Sequence, residues 1–391
     1  MSVARPRLLV VSTVAVFPAD NGFSLRAAEL LPELSKRWSI VLVAPPGANG
    51  ELAPASWGLE AVEPLRLAGR WTYLPSQYDT SGVEATVRAC AARWKPVAAL
   101  LFGGAEYVAF DDPAFPPAIS DHIDCMTLIA ARAVPRVAGV RRKLGMLREL
   151  VEVAAFERAV ARRMRITLLV GERDARFMRW LGMGRGDVRV LTNGVHARED
   201  ACWERISERP LVVFTGVLDY PPNVDAAVHL ARDIWPIVRR AVPDAQLHLV
   251  GRRPLPSVTE LARDPSVRVL ADVPDLPAEL QRAWVAAAPM LSGSGVKNKV
   301  LEAWAVGRPV VMTPLASNGL EPTPNLASLV ARSPERQAGL IVDLLRERGM
   351  RESLGEESLQ LAKDRFAWSG IARRLSDMLV SVSLGESRTP D

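Results

Sequence analysis

The sequence predicts an α/β protein built from two facing, doubly wound domains with a ligand cleft between them. Three observations carry this. Short Val- and Leu-rich runs lack polar alternation, as strands of a parallel sheet buried on both faces do. They alternate with helix-patterned segments. The alternation restarts after Asn193-Gly194, and 391 residues at about 150 per domain suit two domains.

In chain order, residues 8–17 are the first apolar run, and Pro18, Asp20, Asn21 and Gly22 form a turn after it. Ser24 is placed to cap a helix reaching Lys36, with Leu25, Ala28, Leu31 and Leu34 at helical spacing and Pro32 as a kink. Residues 39–44 form the next strand, which completes a βαβ unit. Residues 97–102 and 118–120 follow as strands, then a helix over 147–164 and a strand over 167–170. In the second half, strands are expected at 211–215, 246–250, 267–270, 289–291 and 309–313. Helices are expected at 224–240, 277–287, 299–306 and 368–382. The predicted domains are 1–195 and 196–366, with 367–391 a C-terminal helix returning to the first domain and a frayed tail.

Composition narrows the function classes. Cys90, Cys125 and Cys202 are too few and too scattered for a disulfide framework, which favours a reducing, cytoplasmic setting. The first apolar run also has the look of a signal peptide, but the strand pattern after it fits a buried first strand better. No run reaches the ~18 apolar residues of a membrane span. Residues 1–195 carry 25 basic and 19 acidic residues, and residues 132–165 alone carry ten basic and three acidic. That segment is either a solvated helical face or a patch for anions, including an anionic membrane. No nucleic-acid recognition motif accompanies it.

Ligands of doubly wound sheets bind beyond the carboxyl ends of the strands, so strand-to-helix loops hold the candidates. In Ser292-Gly293-Ser294-Gly295-Val296, glycines let backbone amides converge at a helix start, where a phosphate is favoured. Lys297 at that start opposes the helix dipole at a cost of ~0.3–1 kcal/mol, which a bound anion offsets. Glu302, one turn on, has a carboxylate suited to vicinal ribose hydroxyls. A solvent-exposed glycine turn with an ordinary helix carboxylate is equally open from the residues alone. Asp121, His122 and Asp124 follow a strand and are candidates for proton transfer; alternatively Asp124 caps the next helix and His122 is structural. Asn21 and Gly22 bring backbone near the cleft, or simply form a turn. The Walker pattern, a complete GxGxxG, HExxH and GxSxG are absent, and His122, His196, His229 and His248 lack metal-ligand spacing.

These loops carry a family resemblance. GSGVKNKVLEAWAVGRPVV, from Gly293 to Val311, resembles the GxGxKxKxLEAMAxGxPVV core of glycosyltransferase family 4, whose members have the GT-B fold of two facing Rossmann-like domains. FTGVLDYPPNVDA, from Phe214, resembles the FTGxMDYxPNxDA variant of one branch. TNGV at Thr192, LVGRRP at Leu249 and PADNGFSLR at Pro18 resemble three further family segments.

The resemblance implies a retaining enzyme that uses a nucleotide-diphosphate sugar as co-substrate, with no other cofactor and no metal. It implies donor contacts at Gly216, Val273, Gly293, Ser294, Gly295, Lys297, Asn298 and Glu302. Asn21 and Gly22 would border the acceptor, and Lys297, His122, Asp121 and Asp124 would serve catalysis. Two departures stand out: Ser294 occupies the place of the first carboxylate of the family's E-x7-E pair, and the GR…K donor clamp after the first strand of the second domain is missing. The expected acceptor is a small molecule such as a natural-product aglycone, a polysaccharide precursor or a lipid-linked glycan. The last would suit a cytoplasmic protein held at the inner membrane face through residues 132–165. Nucleic acid is not an expected partner. The alternatives are a non-catalytic nucleotide- or partner-binding module on the same fold, and a nucleotide-sugar epimerase or hydrolase.

Overall fold

The computed structural model describes residues 5–19, 22–66, 81–105, 115–137, 139–181, 187–201, 203, 206–293 and 295–385. Asn21, Ser294 and Cys202 lie outside them. The chain divides into two compact units, one made of Met1–Thr192 with Trp368–Asp391, the other of Asn193–Ala367.

The first unit holds seven strands: β1 (Arg7–Ser12), β2 (Ser39–Ala44), β3 (Ala61–Pro64), β4 (Ala98–Phe102), β5 (Ala118–Ile123), β6 (Ile166–Leu169) and β7 (Asp187–Val190). They form one sheet in the order β3-β2-β1-β4-β5-β6-β7, and every pairing is parallel. Its helices are α1 (Gly22–Ser35), α2 (Ser81–Trp94), α3 (Met126–Ala133), α4 (Val140–Arg163) and α5 (Glu172–Trp180). The period of two in β1 sorts its side chains: Leu8 and Val10 join a core with Leu30 and Leu34 of α1, while Leu9 and Val11 join one with Val83 and Val87 of α2.

The second unit has a five-stranded parallel sheet: β8 (Leu211–Thr215), β9 (Gln246–Gly251), β10 (Val267–Ala271), β11 (Val285–Ala288) and β12 (Val310–Met312), in the order β10-β9-β8-β11-β12. Around it lie α6 (Pro221–His229), α7 (Trp235–Ala241), α8 (Pro256–Thr259), α9 (Leu276–Arg282), α10 (Asn298–Ala305), α11 (Pro324–Ala327), α12 (Pro334–Arg346) and α13 (Arg348–Phe366). Side chains of Asp275, Thr323 and Ser333 cap α9, α11 and α12, each with proline in the first turn. The last helix, α14 (Trp368–Ser383), belongs to the first unit, where Trp368, Ile371 and Leu375 share the α1 core and Ser376 Oγ accepts from Trp38 Nε1 at 2.9 Å.

Several local expectations are corrected. The first strand stops at Ser12, whose hydroxyl bonds the Val14 carbonyl at 2.5 Å and turns the chain out of the ladder. Ser24 does not cap α1; the helix starts at Gly22, and Ser24 is buried within it. α4 begins at Val140, seven residues before the periodicity predicted, because its first half has few inward apolar side chains. The run 285–288 is strand β11 rather than the tail of a helix, and 289–291 is not a strand. Pro289 lacks the N–H a central ladder needs, whereas burial of Val285 and its alanines between β8 and β12 overrides alanine's helix propensity. The sheet edges β3 and β7, only four residues each, gave no apolar run to find.

Candidate functional site

In both sheets strand order reverses beside the first strand of the unit, so the switch points lie between β1 and β4 and between β8 and β11. The loops after those strands are where a doubly wound sheet opens a crevice.

In the second unit the loop after β8 begins at Gly216. A Cβ there would lie 2.9 Å from the Asn223 carboxamide and 3.0 Å from Lys299 Nζ. A Cβ on Gly251, after β9, would lie 1.6 Å from the Gly216 carbonyl oxygen. Backbone approach therefore requires glycine at 251, and the close side chains of Asn223 and Lys299 favour it at 216. Asn223, near the start of α6, donates from Nδ2 to the Val217 carbonyl at 3.0 Å and accepts from Lys299 Nζ at 2.7 Å. Lys299 Nζ also lies 4.4 Å from the centre of the Phe214 ring. Burial, with a smaller push from Lys297, lowers the Lys299 pKa to about 7, and Glu302 opposes this. Burial raises the pKa of Glu302, and the Lys299 charge holds it down in part.

The loop after β11 supplies the other wall. Gly293 and Gly295 adopt φ of +112° and +65°, conformations that glycine takes readily. A Cβ on Gly293 would meet Lys297 Nζ at 3.4 Å and Pro222 at 3.6 Å, so this turn packs on the first turn of α6. Lys297 is the N-cap residue of α10; it is buried, and its Nζ donates to the Gly295 carbonyl at 3.1 Å. Asn298 is exposed, and its Oδ1 accepts from Asn193 Nδ2 at 3.1 Å, which ties the Thr192-Asn193-Gly194-Val195 segment to the start of α10.

Gly216, Gly293, Gly295 and Lys297 therefore gather, with Lys299, at one switch point; Asn298 and Glu302 share helix α10 with Lys299, Asn298 bonded to Asn193 and Glu302 within charge range of Lys299. Val273 does not join them: it follows β10, two strands from β8, and packs half-buried against the core. Ser294 falls outside the described residues. Sequence reasoning missed Lys299 and Asn223, although both stand in the quoted motifs. It also missed Arg253, which grips Asp219 with bonds of 2.6 and 3.3 Å and links the loops after β8 and β9. That pairing holds the Asp219 carboxyl below its ordinary range.

In the first unit, Thr13 Oγ1 donates to the Gly103 carbonyl at 2.5 Å, joining the loops after β1 and β4. Gly22 is the exposed first residue of α1, and a Cβ on it would meet nothing within 4 Å. Asn21 lies outside the described residues. Asp121 and Arg26 are both fully buried, with Arg26 Nε donating to Asp121 Oδ2 at 2.9 Å. The same guanidinium donates to the carbonyls of Thr192 and Leu191, each at 3.0 Å. Asp121 is thus committed to fastening α1, β5 and the chain leaving β7.

A bulge between Asp121 and Ile123, with Ile123 at φ +64°, puts His122 out of register with β6 near the end of β5, and Asp124 follows the strand. The His122 ring is buried, with Nδ1 3.9 Å from Glu157 Oε1 and Nε2 without a hydrogen bond among the described residues. Burial lowers its pKa to about 4, so the ring is neutral at pH 7. Asp124 does not cap α3. That role falls to Glu157 of α4, fully buried, whose carboxylate accepts from the Met126 amide at 2.8 Å, the Thr127 amide at 3.0 Å and the Thr127 hydroxyl at 2.5 Å. Among the described residues no group of carboxylates, histidines and cysteines has the arrangement of a metal site.

Two parallel α/β units with glycine turns and lysines at the second switch point define the class, a GT-B architecture. The comparisons agree. Residues 209–347 match the family described as glycosyl transferases group 1. The chain is similar in structure to Anabaena Alr3699/HepE in complex with UDP and glucose, at 14% identity and TM-score 0.66, covering 96% of this chain and 100% of that one. It is similar to sucrose-phosphate synthase from Thermosynechococcus elongatus at 15% identity and TM-score 0.71, covering 98% and 100%. It is also similar to WaaG, a glycosyltransferase involved in lipopolysaccharide biosynthesis, at 15% identity and TM-score 0.66, covering 95% and 99%. No curated protein matches the sequence. The chain thus has the GT-B fold, and its residues 209–347 are similar to the group 1 glycosyl transferase family.

Proposed function

We propose that this chain is a glycosyltransferase that moves a sugar from a nucleoside diphosphate donor to a hydroxyl acceptor, with retention at the anomeric carbon and without a metal. The observation that carries the reading is the convergence of Gly216, Asn223, Lys299, Gly293 and Lys297 at the switch point of the group 1 domain.

The chemistry follows from that convergence. As the bond from the anomeric carbon to the diphosphate oxygen breaks, negative charge grows on the diphosphate. The amides of the Gly293–Lys297 turn and the ammonium of Lys299 meet it, and their fixed positions in a partly desolvated site make them effective. The missing GR…K clamp is replaced by Lys299, which reaches the Gly216 turn from α10, while Lys297 holds the Gly293–Gly295 turn. Glu302 accepts from the ribose hydroxyls, Asn298 and Gly295 line the diphosphate side, and Val273, apart from that cluster, is the proposed neighbour of the base; Ser294 is assigned to the diphosphate by the family resemblance alone. The acceptor hydroxyl adds to the anomeric carbon on the face the diphosphate leaves, and its proton passes to the departing phosphate oxygen. Gly22, with Asn21 next to it in sequence, is the proposed acceptor-side contact. Of Asp121, His122 and Asp124, Asp121 is tied to Arg26, and the neutral His122 ring would hydrogen-bond sugar only once its buried Nε2 is uncovered.

UDP and glucose occupy the Anabaena protein, which makes UDP-sugars the first donors to try. A lipid-linked glycan is the proposed acceptor class, reached by peripheral contact of residues 132–165 with an anionic membrane; a soluble aglycone is the alternative. Incubation with a panel of nucleotide sugars and acceptors, with and without chelator, tests the reading. Nucleoside diphosphate released only when acceptor is present, and undiminished by chelator, is the expected result. Turnover without acceptor points to a hydrolase or epimerase, and binding without turnover across the panel points to a non-catalytic module.

A further inference from the structure

The first half of α4 has an apolar face that is left exposed among the described residues. Val140, Leu144, Leu147 and Val151 are 75%, 61%, 44% and 68% exposed. Their spacing of four, three and four residues places them on one stripe about 17 Å long at 1.5 Å per residue. At ~100° per residue, Lys143 flanks the stripe on one side, and Arg141 and Arg148 on the other, each about a quarter turn or less from its centre. All three are exposed. Glu149 and Glu152 lie about a third of a turn or more away. The inward face of the same helix is anchored, with Val153, Glu157 and Val160 buried. Among the described residues no helix is long and apolar enough to cross a membrane, so this helix has the character of one that lies in an interface.

We infer that residues 140–151 of α4 form an interfacial helix whose Val140, Leu144, Leu147 and Val151 enter an anionic bilayer surface while Arg141, Lys143 and Arg148 meet its headgroups. This deepens the peripheral-contact reading above: the attraction is hydrophobic as well as electrostatic, and it does not depend on which sugar is moved. The same four-three-four spacing also suits a coiled coil with a second copy of the chain. The flanking charges disfavour that partner. The positions beside the stripe hold Arg141, Lys143 and Arg148 and no carboxylate, so paired copies would set like charges against one another. A bilayer containing acidic lipid supplies the complementary charge and an apolar layer of suitable depth.

The test is flotation of the full chain with vesicles of phosphatidylcholine alone or mixed with phosphatidylglycerol, at low and raised salt. The protein is expected to float with the acidic vesicles and to retain part of that binding at raised salt, since screening acts on the charges and not on the stripe. Leu144→Asp with Leu147→Asp is expected to weaken partitioning about tenfold or more. Melting temperature and nucleoside diphosphate binding should stay unchanged, because both leucines are exposed and outside the donor site. Lys143→Glu with Arg148→Glu should abolish the preference for acidic lipid. Should the aspartate pair impair folding, Leu144→Ser with Leu147→Ser reads the same stripe. No association with acidic vesicles, or association indifferent to the leucine variants, overturns the inference. So does a dimer in sedimentation velocity that the leucine variants disperse. Because vesicle binding is read without donor or acceptor, it stands or falls separately from glycosyl transfer.

Discussion

Lys299 Nζ sits 2.7 Å from the Asn223 carboxamide oxygen, directly under the turn that opens at Gly216. Burial lowers its pKa to about 7, so near neutrality the free protein holds it only partly charged. A diphosphate beside it favours the ammonium and raises that pKa. Binding of a nucleoside diphosphate therefore takes up protons and weakens as pH rises above about 7, by up to ~tenfold per unit at its steepest. Titration calorimetry in buffers of different ionisation enthalpy should show proton uptake at pH 7.5–8.5 (about one unit above that pKa). Lys299→Met should remove both the uptake and the slope.

The Arg26–Asp121 pair tests whether Asp121 is structural. Asp121→Ala leaves a buried guanidinium without its carboxylate, and breaking such a pair costs about 3–5 kcal/mol. Chemical denaturation should show a loss of that order. Asp121→Asn, which keeps one acceptor for Arg26, should recover much of it. A stable, inactive Asp121→Ala would instead assign the carboxylate to the chemistry.

The paired glycines predict unequal damage. Gly251→Ala drives a methyl into the Gly216 carbonyl, which belongs to backbone and has nowhere to go; severe destabilisation or failure to fold is expected. Gly216→Ala meets two side chains that can swing aside. It should fold, with stability lowered by about 1–3 kcal/mol. Nucleoside diphosphate binding should weaken because Asn223 and Lys299 are displaced. Melting curves with and without ligand separate the two effects.

Glu157→Ala should uncap α3. Two amides and a hydroxyl lose their acceptor in a buried place, a cost of about 1–3 kcal/mol each at most and less where water enters. Amide hydrogen exchange should quicken at Met126 and Thr127 first. Unchanged protection there would show that the cap is not needed.

Much of this was legible because buried parallel strands announce themselves. β8, β9 and β2 fall within a residue of where their apolar runs predict them. The short edges β3 and β7 did not, and β11 hid in an alanine-rich stretch that reads as helix until its place between β8 and β12 is known. The donor-side cluster was half legible. Gly293, Gly295 and Lys297 stood out as a glycine turn at a helix start, but no local pattern says that Lys299 bonds Asn223, 76 residues away in sequence. In the first unit the sequence placed Asp121, His122 and Asp124 together, yet the partners that decide their roles, Arg26 and Glu157, come from α1 and α4. Tertiary pairing of this kind leaves no trace in spacing.

The switch point between β8 and β11 is proposed to hold a nucleoside diphosphate with Lys299 as its charge partner. Calorimetric titration of UDP, GDP and ADP into the wild-type chain and into Lys299→Met tests it most directly. Saturable binding of at least one of them is expected, weakened roughly tenfold to a hundredfold by the substitution, the range for loss of a charge-assisted bond, with the fold intact. Binding of equal strength to both proteins, or no binding of any nucleoside diphosphate to the wild type, would contradict it.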